Sequence, residues 1–200
     1  WGRIEPLGFR FFAMLERLQF LMREPIVWVK GQIDNDGVGQ PVSTTFQMGS
    51  DNNPYMRPTH EWIILASKDT YHHRGGTGRR GRDAVPFADH TRDTWWINGA
   101  SDPRHPAVFP IELPHRLIGL FTHATDAIVC DPFAGHGTTG MACAELHRTF
   151  IGFERNPEFA RLAAHNVAKA YALAAGKFLP LLKVALNDLD GLPLFDSVEN

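Results

Sequence analysis

A glycine-rich run with an acid on either side of it is the part of the sequence best suited to chemistry. Asp131-Pro-Phe-Ala-Gly-His-Gly-Thr-Thr-Gly140 follows an apolar segment, and Glu154 follows the next one. The glycines satisfy G-x-G-x-x-G, a pattern that brings a ligand close to the backbone at a helix N-terminus. An acid after the second strand can bind ribose hydroxyls. The pattern predicts a nucleoside-containing ligand; a tight strand-to-helix turn without a ligand is the alternative.

Charge distinguishes between two nucleoside ligands. A dinucleotide would place its pyrophosphate at the helix N-terminus, where the carboxylate of Asp131 would repel it. S-adenosylmethionine carries an ammonium and a sulfonium that Asp131 attracts, and a carboxylate that the helix N-terminus can receive. Opposite charges near 4 Å gain on the order of 1 to 4 kcal/mol at surface-like dielectrics. The residues therefore favour S-adenosylmethionine as the cofactor over NAD.

The elements that must position these residues alternate in type. The patterns predict a helix over Pro114–Thr122, a buried strand over Ala127–Cys130, a helix over Gly137–Leu146, a strand over Phe150–Phe153 and a helix over Pro157–Ala175. Strand, helix, strand, helix in this order predicts a parallel βαβ unit. The expected fold class is therefore α/β and Rossmann-like.

The first half has weaker patterns. Apolar spacing predicts an amphipathic helix over Gly8–Met22, strands over Ile26–Val29 and Glu61–Ser67, and an extended segment over Trp95–Ile97. Loop-type residues fill Gly31–Pro58, and Tyr71–Asp93 is polar and irregular. Trp28 and Trp62 are expected in the core because they lie in strand segments. Trp95 and Trp96 remain open between core packing and stacking on a base.

Composition sets limits on the class of protein. The 200 residues carry a net charge of -2, so any contact with nucleic acid needs a local concentration of positive charge. Cys130 and Cys143 give no disulfide framework and no metal-ligand spacing, and both are expected as buried thiols in a reducing cytoplasm. No apolar run is long enough to span a bilayer, and no signal peptide is visible.

A basic, glycine-rich loop supplies that local positive charge. Residues 72–82 hold Arg74, Arg79, Arg80 and Arg82 and no acid. Such a loop is suited to contact DNA phosphates, whereas a solvated surface loop is the alternative. The adjacent pair His72 and His73 has no third ligand at metal-site spacing, which favours a surface position and no metal.

Three motifs together resemble a known family. Asp131–Gly140 resembles the cofactor motif of the DNA amino-methyltransferases, which modify the exocyclic amine of adenine or cytosine. Ile151-Gly-Phe-Glu-Arg-Asn-Pro-Glu158 resembles the motif that follows it, with Glu154 as the ribose acid. His105-Pro-Ala-Val-Phe-Pro-Ile-Glu-Leu-Pro114, followed by Arg116-Leu-Ile118, resembles the motif that precedes it. This order is similar to the permuted β group, and it implies a circularly permuted S-adenosylmethionine-dependent methyltransferase fold.

The resemblance implies roles for individual residues. His105 to Pro110 would pack over the methionine end of the cofactor, and Thr138 would lie near its carboxylate. The cofactor-binding residues that it implies are Asp131, Pro132, Phe133, Gly135, Gly137, Thr138, Thr139, Glu154, His105, Phe109 and Pro110. It also implies one methyltransferase domain, with a catalytic half in residues 1–70, the basic loop in 71–93, the cofactor half in 105–175 and a tail in 176–200.

One family motif does not occur in the sequence. The catalytic tetrapeptide, which is Asp, Asn or Ser followed by Pro-Pro and an aromatic residue, would lie before Trp1 in this permutation. Asn53-Pro-Tyr55 has a single proline and is in the wrong place. The catalytic residues are therefore unassigned. The chain is expected to be a fragment that binds cofactor and methylates poorly, and a naturally inactive homologue is the alternative.

The expected activity is methylation of an exocyclic base amine in double-stranded DNA. The Phe109-Pro110 form of the first motif resembles the cytosine-N4 enzymes more than the adenine-N6 enzymes. Expected partners are DNA and a cognate restriction endonuclease, in the cytoplasm of a bacterium or archaeon or encoded by a phage. Alternatives are a methyltransferase of RNA, protein or a small molecule, a cofactor- or DNA-binding module without catalysis, and an NAD-binding domain.

Overall fold

The structure, a computed structural model, describes residues 7–42, 49–50, 53–54, 58–70, 87–101, 108–122 and 127–175. The chain divides into two compact units, Trp1–Gly99 and Ala100–Asn200. The prediction of a single domain stays a prediction. Within the described ranges, no helix combines the length and the apolar character needed to cross a membrane.

The first unit is mostly strands. Its helices are α1 (Leu7–Arg17) and α2 (Phe87–His90), and its strands are β1 (Leu21–Met22), β2 (Ile26–Ile33), β3 (Gly39–Pro41), β4 (Gly49–Ser50), β5 (Asn53–Pro54), β6 (His60–Ile63), β7 (Ala66–Ser67) and β8 (Thr94–Ile97). Strand β2 lies in the main sheet, antiparallel to β3 and β6 and parallel to β8. The pairs β1–β7 and β4–β5 are antiparallel.

Helix α1 is shorter than the sequence predicts. The sequence predicts an end at Met22, whereas the helix ends at Arg17. Gln19 has a φ of 61°, and the backbone N–H of Phe20 donates to the Leu15 carbonyl over 3.0 Å. A left-handed residue followed by such a bond is the Schellman ending of a helix. Because glutamine occupies the position that glycine usually takes, the pattern of apolar residues gave the wrong end.

The core of the first unit is aromatic. Trp28 of β2 is 4% exposed, and Trp95, its register partner in β8, is 1% exposed. The indole N–H of Trp28 donates to the carbonyl of Ile97 over 2.9 Å, so its one polar group is satisfied in the core. Trp95 therefore serves in packing. The expectation for Trp62 is wrong: it is 44% exposed, and its ring system lies nearly perpendicular to the ring of Phe9.

The second unit is the predicted βαβ unit preceded by a helix. Its elements are α3 (Glu112–Phe121), β9 (Ile128–Asp131), α4 (Thr138–Glu145), β10 (Thr149–Gly152) and α5 (Pro157–Ala174). Strands β9 and β10 pair in parallel, from Ile128 opposite Thr149 to Asp131 opposite Gly152. The prediction of a parallel βαβ unit is confirmed.

Small side chains form the core of this unit. Ala142 and Cys143 of α4 are fully buried and pack with Ile118 of α3. The opposite face of the strand pair is open: Ile128 is 64% exposed and Cys130 is exposed. The prediction of a buried thiol is therefore confirmed for Cys143 and wrong for Cys130, because β9 is covered by helices on one face only within the described residues.

Candidate functional site

The glycine run forms the turn between β9 and α4. Gly135 and Gly137 have φ values of 53° and 93°, in the left-handed region that glycine adopts without strain. A Cβ on Gly137 would also lie 2.9 Å from Val167 Cγ2 and 3.1 Å from the Ala163 backbone. Gly137 is thus required both for its conformation and for the close approach of α5.

Asp131, at the end of β9, holds this turn through both carboxylate oxygens. Its Oδ1 accepts the backbone N–H of Phe133 over 2.9 Å, and its Oδ2 accepts the Thr139 hydroxyl over 2.6 Å. A carboxylate has about four lone-pair positions, so each oxygen retains capacity for a cationic ligand. Asp131 is therefore a fixed negative charge at the strand end.

Glu154 joins the turn to the loop after β10. Its Oε2 accepts the backbone N–H of Gly135 over 2.9 Å, and its Oε1 accepts that of Asn156 over 2.8 Å. The backbone continues the link, because the Ala134 N–H donates to the Phe153 carbonyl over 2.8 Å. The two acids of the sequence motif therefore bind the same turn from neighbouring strand ends.

The N-terminus of α4 opens onto this turn. Thr138, Thr139 and Gly140 begin the helix, and the N–H groups of a first helical turn have no acceptor inside the helix. Gly137, which precedes them, has no side chain with which to cap them. The positive end of the helix dipole is at the same place. This end of α4 is therefore suited to an anion such as a carboxylate.

An open cavity of about 680 Å³ lies beside Glu154. Its lining residues are Glu154, Arg155, Asn156, Pro157, Glu158 and Phe159. The Asn156 side chain accepts the backbone N–H of Glu158 over 2.9 Å, which caps α5 at the edge of the cavity. The cavity is open to solvent and is formed by one continuous segment of the chain.

The structure brings most of the predicted cofactor-binding residues to this one turn. These are Asp131, Pro132, Phe133, Gly135, Gly137, Thr138, Thr139 and Glu154. Phe109 and Pro110 are half-buried and precede α3, which packs on α4. His105 and the loop arginines Arg74, Arg79, Arg80 and Arg82 lie outside the described residues. The binding roles of all these residues stay predictions.

Two asparagines of the site were missed from the sequence. Asn156 had a usable signal, because Asn-Pro-Glu is a typical helix start with proline in the first turn. Asn166 had none: its side-chain amide donates to the carbonyl of His136 over 2.9 Å, across 30 positions of sequence. Such a long-range bond follows from the packing of α5 on the turn and is not visible in a local pattern.

Sequence comparisons place the chain among methyltransferases. The family model described as DNA methylase matches residues 5–165. Type II methyltransferase M.SmaI of Serratia marcescens is 37% identical over 118 residues, which cover 56% of this chain and 40% of that protein. M.BglII of Bacillus subtilis is 30% identical over 167 residues, 79% of this chain and 45% of that protein. The chain thus spans less than half the length of these relatives.

Solved structures give the same fold. A protein of Thermus thermophilus, assigned as a DNA modification methylase and complexed with S-adenosyl-L-methionine, superposes with a TM-score of 0.62 at 26% identity. The match covers 88% of this chain and 63% of that one. The cytosine-N4-specific PvuII DNA methyltransferase superposes with a TM-score of 0.59 at 19% identity, over 86% and 64% of the two chains. At that identity the likeness concerns the fold alone.

Proposed function

The chain belongs to the DNA methylase family, and from that premise we propose that its glycine turn binds S-adenosylmethionine for methylation of an exocyclic amine of a DNA base. The observation that carries this proposal is the convergence of Asp131, Glu154 and the N-terminus of α4 on one turn. These groups offer a negative charge, a ribose acceptor and an anion site around one turn.

The residues present fit this cofactor. Asp131 can receive its ammonium, the first turn of α4 its carboxylate, and Glu154 its ribose hydroxyls, because each carboxylate oxygen retains a lone pair beyond the bonds described above. A dinucleotide fits less well, because its pyrophosphate would lie close to the Asp131 carboxylate. The cavity next to Glu154 leaves room for the adenosine part.

Chemistry at such a site depends mainly on positioning. The bound cofactor supplies a methyl group on a sulfonium, which an amine can accept directly. The residues of the turn hold the cofactor, so that the target amine can approach in line with the bond that breaks. No enzyme nucleophile is needed. Burial raises the pKa of the Cys143 thiol to about 11 and keeps it protonated, in agreement with a structural role.

Calorimetry on the chain tests the cofactor assignment. S-adenosylmethionine should bind, and Glu154→Gln should weaken that binding by about 10- to 100-fold, the effect of removing a hydrogen bond to a charged group worth about 1.5 to 3 kcal/mol. Glu145→Gln, the same exchange at the other end of α4, serves as the control. Absence of binding, or tighter binding of NAD, would contradict the proposal.

For the target amine of the methylation we propose N4 of cytosine. It is supported by the resemblance of Phe109-Pro110 to the cytosine-N4 enzymes, and adenine-N6 is the alternative. The whole protein should transfer labelled methyl groups to unmethylated DNA, and digestion to nucleosides should yield labelled N4-methylcytosine. Labelled N6-methyladenine in its place would overturn this assignment while leaving the cofactor proposal intact.

The basic loop is proposed as the DNA phosphate contact. Its support is the clustering of Arg74, Arg79, Arg80 and Arg82 without an acid. Replacing Arg79, Arg80 and Arg82 by Ala should lower affinity for all DNA sequences alike. The slope of the logarithm of the binding constant against the logarithm of the salt concentration should also become shallower. The change should be about 0.9 for each phosphate that the loop no longer neutralises. Arg17→Ala, at the exposed end of α1, is the control; an unchanged salt slope in the triple variant would count against the loop.

A restriction–modification role and a cytoplasmic location are proposed for the whole protein. Both are supported by relatives that are named type II methyltransferases and come from bacteria. DNA from cells that produce the whole protein should resist one endonuclease of matching sequence specificity. Full cleavage by every endonuclease in a panel that samples its methylated sites would contradict this role.

A further inference from the structure

The peptide between His136 and Gly137 is held from the side of α5. The Asn166 side-chain amide donates to the His136 carbonyl oxygen over 2.9 Å. The N–H of the same peptide, which belongs to Gly137, donates to the Ala134 carbonyl over 2.8 Å. Both polar groups of this peptide are therefore fixed, one by a neighbouring helix and one within the turn.

This peptide adjoins a residue with high conformational freedom. It ends at Gly137, whose φ of 93° shows that the chain uses a conformation open mainly to glycine. Glycine adopts positive and negative φ with similar ease, so the peptide before it can rotate at low cost unless a bond holds it. The bond from Asn166, together with the bond from the Gly137 N–H to Ala134, holds the orientation in which the carbonyl oxygen faces α5.

The face of α5 that meets the turn is continuous. Ala163, Asn166 and Val167 lie at helical spacing, and Ala163 and Val167 are the residues that a Cβ on Gly137 would meet. Asn166 is the polar member of this face and is half-buried. Its amide is therefore placed by packing on both sides, which keeps it directed at the His136 carbonyl.

We propose that Asn166 is a positioning residue for the amino-acid end of the bound cofactor. The inference rests on the proposed function, because it concerns the same turn. The bond keeps the negative end of the His136 carbonyl toward α5 and so away from an anion at the N-terminus of α4. A rotated peptide would place that oxygen beside the bound carboxylate and repel it.

Comparing the binding of two ligands distinguishes this positioning role from a role in folding alone. S-adenosylhomocysteine has the carboxylate and ammonium of the cofactor, whereas 5′-methylthioadenosine has the nucleoside thioether without them. Asn166→Asp is nearly isosteric and, when ionised, cannot donate to the carbonyl. In calorimetry at pH 8 we expect the affinity of this variant for S-adenosylhomocysteine to fall at least 10-fold. Its affinity for 5′-methylthioadenosine should change less than 2-fold.

Two further variants address charge and folding. His165→Asp places the same negative charge on the exposed neighbouring position of α5. It should change the affinity for neither ligand by more than 2-fold. Asn166→Ala removes the donor without adding charge, and it should give the same selective weakening of S-adenosylhomocysteine if the aspartate variant does not fold. If the affinity for both ligands falls equally, or for neither, this inference is overturned and the proposed function is not affected. Failure of the unmodified chain to bind S-adenosylhomocysteine would overturn the proposed function as well.

Discussion

The first unit packs its core around two buried tryptophans, and the second packs small residues against Leu113 and Ile118. Trp28 and Trp95 lie side by side in the main sheet, at 4% and 1% exposure. In the second unit Ala142, Cys143 and Ala144 are fully buried, and α5 approaches α4 closely enough for Val167 to pack on Gly140. Trp95 therefore cannot lose its ring without leaving a cavity, and Gly140 cannot gain a methyl group without displacing Val167 or Phe150.

The difference bears on where the ligand site can lie. A turn that presents backbone N–H groups needs neighbouring backbones close behind it, and small residues allow that approach. The proposed cofactor site accordingly lies in the unit with the small-residue core.

The largest effect is expected from removing an aromatic side chain in the first unit. Trp95→Ala should lower the free energy of unfolding of that unit by about 3 to 5 kcal/mol, because it leaves a large cavity among buried neighbours. Trp62→Ala is the matched control, since Trp62 is 44% exposed and leaves no enclosed cavity. Denaturant unfolding followed by far-ultraviolet circular dichroism measures both variants. Equal destabilisation would contradict the aromatic core.

A smaller destabilisation is expected from adding one methyl group in the second unit. A Cβ on Gly140 would lie 2.5 Å from Val167 Cγ2 and 2.7 Å from the Phe150 ring. Gly140→Ala should therefore cost about 1 to 3 kcal/mol. Adding Val167→Ala should recover part of that stability in denaturant unfolding, because it removes the nearest atom.

Gly99→Ala is the control for the added methyl group. A Cβ on Gly99 would meet none of the described residues within 4 Å. This substitution should leave the free energy of unfolding unchanged within about 0.5 kcal/mol or raise it slightly, as alanine restricts the unfolded chain. Equal free energies of unfolding for Gly140→Ala and Gly99→Ala would contradict the close packing of α5 on α4.

The last expected effect is a pH dependence that originates in the second core. Burial is the main cause that raises the pKa of Cys143 from 9.0 to about 11; Asp131 raises it further and Arg148 opposes the shift. Below pH 9 the thiol is protonated in both states, so its full contribution to stability is present. Between pH 9 and 11 the unfolded chain releases this proton first, and the free energy of unfolding falls by no more than about 1.4 kcal/mol per pH unit.

Comparison with Cys143→Ala isolates this contribution. Urea unfolding at pH 8 to 10.5 should give a shallower decline for the variant than for the unmodified chain. Part of the decline should remain, because burial also raises the pKa of Tyr171. Parallel slopes for the two proteins would contradict a buried Cys143. Iodoacetamide at pH 8 should in addition label exposed Cys130 and leave Cys143 unmodified in the folded chain.

Local patterns predicted the parts of the molecule that depend on local chemistry. The order of elements in the second unit and the glycine turn after β9 follow from apolar spacing and from the backbone freedom of glycine. The features that were missed depend on contacts between distant residues. Trp62 is half-exposed against Phe9, the outer face of β9 is open at Ile128, and Asn166 reaches the turn from α5.

The spacing of residues along α5 has a consequence for the length of the chain. Ala163, Asn166 and Val167 meet the turn on one face of a helix whose start is fixed at Pro157 by the Asn156 cap. Each residue of an α-helix advances the face by about 100°. An insertion or deletion of one residue between Pro157 and Ala163 would rotate this face away from Gly137. In homologues, gaps should therefore be excluded from the first two turns of α5, while substitutions on its exposed side accumulate freely.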